Sequence, residues 1–159
     1  MDTDEIKRVA SLSELLKIKM KDNICITEDI DCEGKVIPYI IEMFKGTIEG
    51  NNHTISNLIV STEVWGDEQS IALFHYLSRA TISNLHFKDV RFEIDKNGYT
   101  PRIAGLCYEC GASTLENISM EIETSFNGEI PLVYDANSIK TSDIAMICNG
   151  ESVKNIMNM

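Results

Sequence analysis

Positive charge is scarce in this 159-residue chain: 14 Lys and Arg stand against 25 Asp and Glu, a net of -11. So acidic a surface repels phosphates and anionic lipid heads, and neither nucleic acid nor a membrane is expected as a direct ligand. No apolar run approaches the roughly 20 residues of a membrane-crossing helix. The opening MDTDEIKRV mixes both signs where a secretory signal would show a basic end and then an apolar stretch. The five cysteines (Cys25, Cys32, Cys107, Cys110, Cys148) are an odd number, which favours free thiols over a disulfide framework. A soluble, cytoplasmic protein is expected. The chain also lacks a Gly-x-x-x-x-Gly-Lys phosphate loop and a Gly-x-Ser-x-Gly nucleophile elbow.

What is present instead is repetition. Thr54-Ile-Ser-Asn-Leu58 recurs letter for letter as Thr81-Ile-Ser-Asn-Leu85, and weaker copies follow at Leu115-Glu-Asn117-Ile118 and Val153-Lys-Asn155-Ile156. The asparagines are spaced 27, 33 and 38 residues apart, a range that signals stacked units. Each copy is preceded by a short apolar step: Met43-Phe44, Ala72-Leu73-Phe74, Ala104-Gly105-Leu106 and Ala145-Met146-Ile147. Leu58 and Val60 share one face of a strand, but Ile55 and Leu58 cannot share it unless the chain bends at Ser56-Asn57. Asparagine tolerates the left-handed conformation of such a corner. With rungs about 4.8 Å apart, Asn57, Asn84 and Asn117 are expected to stack in register and bond to one another. The fold class is all-β, a parallel β-solenoid of about five rungs.

The segment Ile24–Val60 carries Asp29-Ile-Asp31, then Phe44-Lys-Gly46-Thr-Ile48-Glu-Gly50, His53, Ile55 and Asn57-Leu58. It resembles the pectin-lyase-like, right-handed parallel β-helix domains of bacterial surface proteins and GLUG-repeat adhesins. Ala72-Leu73-Phe74 and Ile82-Ser-Asn84-Leu85 continue the pattern, so the likeness runs over roughly residues 24 to 120. It implies the fold and a right-handed winding, and it brings adhesion or carbohydrate binding into view.

An open solenoid end exposes apolar edges and needs a cover. Ser11-Leu-Ser-Glu14 matches a capping box, followed by Leu15, Leu16 and Met20 at helical spacing. A helix from Leu12 to Met20 is therefore expected, with residues 1–23 as a cap and 24–159 as the β-helix domain. At the other end Val153, Ile156, Met157 and Met159 are expected either to form a bare face, buried in a homodimer or against a partner, or to fray as an ordinary terminus.

Catalytic constellations are sparse. Cys107-Tyr-Glu-Cys110 has redox spacing without the surrounding βαβ pattern, so buried thiols are favoured, and the cysteines and histidines show no paired zinc-ligand spacing. His53 reads as a corner residue; His75 and His86 lie beside core strands without an evident partner. Asp29 and Asp31, with Glu28 and Glu33 nearby, are the candidates for acid chemistry on a glycan, but no cationic cluster accompanies them. No enzyme, no metal and no cofactor is expected.

Binding has more support. No basic residue occurs between Arg102 and Lys140, while Glu116, Glu121 and Glu123 fall in that gap and the last two share one strand face. Rows of carboxylates there would either occupy a groove built for phosphates or simply solvate the surface. The longer excursions, 61–70, 93–102 and 124–143, carry Trp65, Asp67, Glu68, Tyr99, Phe126, Tyr134 and Asp135; the aromatic residues flanked by acids make interface anchors. Trp65 either serves that role or folds back over the wall. The expected function is a non-catalytic protein-binding module, in its most specific form an acidic inhibitor of a nucleic-acid-binding enzyme of the phage anti-CRISPR type, inside a bacterial host. An adhesin or carbohydrate-binding domain is the alternative, and a glycan-cleaving enzyme the third reading.

Overall fold

The computed structural model describes residues 5–61, 70–93, 102–125 and 130–153. The chain opens with β1 (Ile6–Val9), a one-turn α1 (Leu12–Leu15), β2 (Asn23–Ile26), β3 (Ile30–Ile37) and β4 (Ile41–Phe44). It continues through β5 (Thr47–Ser61), β6 (Ser70–Ile71), β7 (Phe74–Ser78), β8 (Thr81–Glu93) and β9 (Arg102–Ile103). The last elements are β10 (Cys107–Gly111), β11 (Thr114–Thr124), β12 (Val133–Asn137), β13 (Lys140–Cys148) and β14 (Glu151–Ser152).

The protein is all-β, with parallel sheets. The main sheet runs β1-β2-β5-β8-β11-β13-β14, with β3 also on β5; a second runs β12-β10-β7-β4, and β6 pairs with β9. Every pairing is parallel except the closing β13–β14. The chain visits these sheets in the same order on successive passes, so like residues meet like across neighbouring strands. Ile55, Phe87, Met120 and Met146 form one such row, and Leu58, Val90, Ile122 and Cys148 another. All are buried except Cys148, which is half-buried on the last parallel strand. The second sheet contributes Phe44, Phe74, Leu77, Cys107 and Cys110 to the same core.

The expected bends exist, but in a different register. Thr47, Thr81, Thr114 and Lys140 are successive partners, so the structural repeat is 34, 33 and 26 residues; the first step is not the expected 27, while the expected 33 between Asn84 and Asn117 is observed. Asn84 therefore lies opposite Gly50-Asn51-Asn52, and Asn57 lies opposite Asp89 at a second bend. The two TISNL copies do not stack on each other; β5 is long enough to turn twice, and each copy serves one of the two turns. At the first bend Asn51, Asn52, Asn84, Asn117 and Asp143 have φ of 51–61°. At the second, Glu33, Asn57 and Asp89 have φ of 53–57°. A third bend, where the second sheet returns to the main one, uses Arg79, Ala112 and Ser138 at 50–58°. Left-handed φ is costly for most L-residues and least so for Asn and Asp, which explains their place at the first two bends.

The first bend is a hydrogen-bonded ladder. Asn117 Nδ2 donates to Asn84 Oδ1 at 2.8 Å and to Asn52 Oδ1 at 3.0 Å. Asn84 Nδ2 in turn donates to both oxygens of Glu49, at 3.0 and 3.1 Å. Gly50 has to be glycine, because a Cβ there would collide with the Asn84 carbonyl.

Both chain ends depart from expectation. The helix stops at Leu15 instead of reaching Met20: the Ser11 and Glu14 capping contacts form, but the Asp22 carboxylate takes the Lys19 amide at 2.7 Å and turns the chain into β2. Leu15 and Ile18 are buried, whereas Leu16 and Met20 are exposed. Ile6 is exposed too, on a strand rather than against a helix. At the far end the left-handed residue opposite Asn117 is Asp143, with Ala145-Met146-Ile147 after that bend, and the expected copy at Asn155 lies outside the described residues. The chain then reverses at Asn149-Gly150, φ 51 and 82°, and Val153 N donates to Met146 O at 2.8 Å. The expected excursion 124–143 is also not one loop, since it contains β12.

Replacing Asn117 separates strain from bonding. Asn117→Gly loses only the ladder bonds, whereas Asn117→Ala adds left-handed strain of about 1 kcal/mol. Urea unfolding of the pair should show the alanine variant less stable by that difference; equal stabilities would mean that the bend stores no strain.

Candidate functional site

Of the residues singled out for binding, Trp65, Asp67, Glu68, Tyr99, Ile156, Met157 and Met159 lie outside the described residues, as does Phe126. The others do not come together. Tyr134 and Asp135 belong to β12, on the second sheet, where Tyr134 is half-buried and stacks on Tyr108 with centroids 5.2 Å apart. The Tyr108 hydroxyl accepts from the Arg102 guanidinium at 2.9 Å, which ties the aromatic pair to β9. Asp135 stands beside Glu109, and Glu109 beside Tyr76.

Glu116, Glu121 and Glu123 are exposed on β11, yet they do not form the expected rows. Register places Glu116 between Ser83 and Ser142, and Glu123 opposite Arg91. Glu121 has Ile147 beside it and shares a depression with Lys88. A row needs carboxylates at the same position on successive passes; here the neighbouring passes supply hydroxyls, cations or aliphatic groups.

Acidic groups gather instead at the second bend. A groove of about 540 Å³ is lined by Asp31, Glu33, Asp89 and Glu123, with Arg91 as the cation and Ile59 as an apolar wall. Its shape follows from the bends at Glu33, Asn57 and Asp89. On β11 a register shift between Met120 and Ile122 removes the corresponding turn. Asp31 Oδ1 accepts from Asn57 Nδ2 at 3.0 Å and from the Glu33 amide at 2.9 Å, and these bonds lower its pKa. Close by in sequence, Asp29 Oδ1 accepts from the Thr54 amide at 2.9 Å and meets His53 Nδ1 at 3.1 Å, with the same effect. Both carboxylates are thus held in the acceptor state, unsuited to donating a proton at neutral pH.

His86 does have partners, contrary to the sequence expectation. Its Nδ1 lies 2.7 Å from Ser119 Oγ and its Nε2 3.2 Å from Asn52 Oδ1. These residues are 33 and 34 positions away, one pass in each direction; the 33-residue spacing of Asn84 and Asn117 already sets Ser119 beside His86, whereas Asn52 needed the 34-residue step that the sequence reading missed. His75 packs 4.8 Å from the Tyr39 ring; burial lowers its pKa, and its Nε2 has no hydrogen-bond partner among the described residues. Asp89 and Arg91 were not anticipated either.

Cys107 and Cys110 are both buried, the first with its thiol donating to the Glu109 carbonyl at 2.9 Å. Burial pushes the Cys107 thiol up, and brings the Cys32 thiol to about 11. Among the described residues no group of three or more His, Cys, Asp or Glu side chains is arranged to hold a metal ion. No described helix is long and apolar enough to cross a membrane. Comparison with protein-family models, with curated proteins and with solved structures returns no match.

The Asp29 and Asp31 contacts carry a pH dependence. A carboxyl whose folded pKa lies below its usual 3.8 stabilises the fold above that value and loses the contribution as pH falls through the folded pKa. Urea midpoints measured from pH 6 down to pH 2.5 should therefore drop at the acid end, and less steeply in Asp31→Asn. Parallel curves would remove Asp31 from the account.

Proposed function

We propose that the chain is a short right-handed parallel β-helix that acts as a protein-binding module. The parallel pairings and the repeated order of sheets support this architecture, and a β-sheet crossover is right-handed in nearly all proteins. α1 serves as its N-terminal cap through Leu15, which is buried against the core. The partner is a protein surface rich in Lys and Arg, and in the most specific form a nucleic-acid-binding enzyme of the bacterial cytoplasm, blocked by occlusion in the manner of an anti-CRISPR protein.

The groove at the second bend carries this reading. It sets four carboxylates against one guanidinium, on strands whose bends are fixed by backbone conformation. A rigid acidic recess gains orientation and association rate from charge complementarity. It also matches side chains that otherwise contact phosphates.

Asp89 and Glu123 are the residues to reverse, because Asp31 has structural bonds of its own. Asp89→Lys with Glu123→Lys should weaken capture of the partner at least 10-fold, about 1.4 kcal/mol or more. The captured partner should lose nucleic-acid binding when the unaltered chain is added and keep it when the double variant is added. Capture indifferent to the reversal would overturn the proposal.

A homodimer contact at the C-terminal end belongs to the same proposal. The half-buried Ile144, Cys148 and Val153 at the edge of the core support it. Light scattering after size exclusion should give a dimer, and deletion of 153–159 a monomer; a monomer in both cases would rule the contact out.

A further inference from the structure

We propose that Ser119 is an activated nucleophile, with His86 as its general base and Asn52 as a positioning residue. Three neighbouring strands build the arrangement. His86 on β8 and Ser119 on β11 are direct register partners with half-buried side chains, and Asn52 reaches them from the bend of β5. The ladder determines which imidazole nitrogen carries the proton. Asn52 Oδ1 already accepts from Asn117 Nδ2 at 3.0 Å, and a carbonyl oxygen can only accept. The His86 Nε2 at 3.2 Å must then be the donor, so Nδ1 presents its lone pair to the Ser119 hydroxyl at 2.7 Å. A nucleophile bonded to a base, with the base bonded to a fixed acceptor, is the order of groups that acyl transfer uses.

The pair opens on a depression of about 270 Å³. Lys88 lines it as a cation able to face negative charge on a carbonyl oxygen, and Ala145 and Ile147 supply an apolar wall. The fitting substrate class is an ester with a small apolar acyl group. Ser119 Oγ would form a bond to the carbonyl carbon while His86 Nδ1 takes the hydroxyl proton. The bond to the leaving alcohol then breaks, His86 returns the proton to that oxygen, and the acyl group stays on Ser119 until water removes it as the acid. This chemistry is independent of the binding groove and departs from the expectation of a chain without a reaction centre.

A fluorophosphonate probe tests it on the full chain. Ser119 Oγ forms the P–O bond, fluoride leaves, and the proton passes through His86 to solvent. Intact mass should show one adduct and peptide mapping should put it on Ser119, with none in Ser119→Ala. His86→Ala should slow labelling on the order of 10²–10³-fold. Asn52→Gly, which suits the left-handed backbone but removes the acceptor, should slow it as well, whereas Asn52→Asp should restore it. Circular dichroism establishes that each variant is folded, and mapping on the unaltered chain does not depend on any variant. An adduct spread over Ser56, Ser83 and Ser119, or no adduct, would overturn the proposal, as would an unchanged rate in folded His86→Ala.

Discussion

Parallel pairing in register imposes one demand on everything else in this molecule: each pass of the chain has to bend where the previous pass bent, or shift register to drop the turn as β11 does at the second bend. A bend displaced by one residue would turn every later side chain of that strand to the opposite face. The demand is met by left-handed residues at matched positions, Asn84 beside Asn117 beside Asp143, and Asn57 beside Asp89. Backbone conformation is only half of the solution. The side-chain amides at the first bend also bond from pass to pass, so a set of polar groups that would otherwise compete for water becomes a chain of satisfied donors and acceptors.

The chemistry of the surface follows from these bends. Where three passes turn together, at Glu33, Asn57 and Asp89, the wall becomes concave and its carboxylates face one space. Where the asparagine ladder runs, it leaves one acceptor, Asn52 Oδ1, within reach of an imidazole. Both candidate sites are by-products of the same backbone requirement, which is why neither shows as a compact motif in the primary sequence.

The phase of Ile55, Leu58 and Val60 made the bends and the all-β class legible, because an odd spacing of core residues admits no other explanation on a strand. The register was legible at one step, where Asn84 and Asn117, 33 residues apart, do pair, and not at the others. TISNL reports a local need, a turn flanked by buried aliphatic residues, and says nothing about which turn of a neighbouring pass it meets. Aligning the two copies gave 27 where the pairing is 34, and the bend at Asp143, opposite Asn117, carries no asparagine motif to mark it. Errors of register propagate to sites. Glu121 and Glu123 were assigned to acidic rows, while the actual neighbours include Lys88 and Arg91; His86 seemed isolated because its partners lie a whole pass away. In contrast, the acidic pair Asp29 and Asp31, with Glu33 nearby, was recognisable in the sequence, and two of these three line the groove.

The reversal at Asn149-Gly150 bears on how copies of the chain can meet. β14 runs opposite to the main-sheet strands before it and pairs with Ile147 and Cys148, so at that end of β13 the described edge offers a backbone polarity that the starting edge, β1, does not match for head-to-tail continuation of the parallel sheet. Repeated docking of one end onto the other would generate an open fibre, whereas like-on-like contact closes after two molecules. A two-residue turn thus works against such growth at the part of β13 that it covers, the characteristic hazard of a protein made largely of stacked strands being uncovered edges.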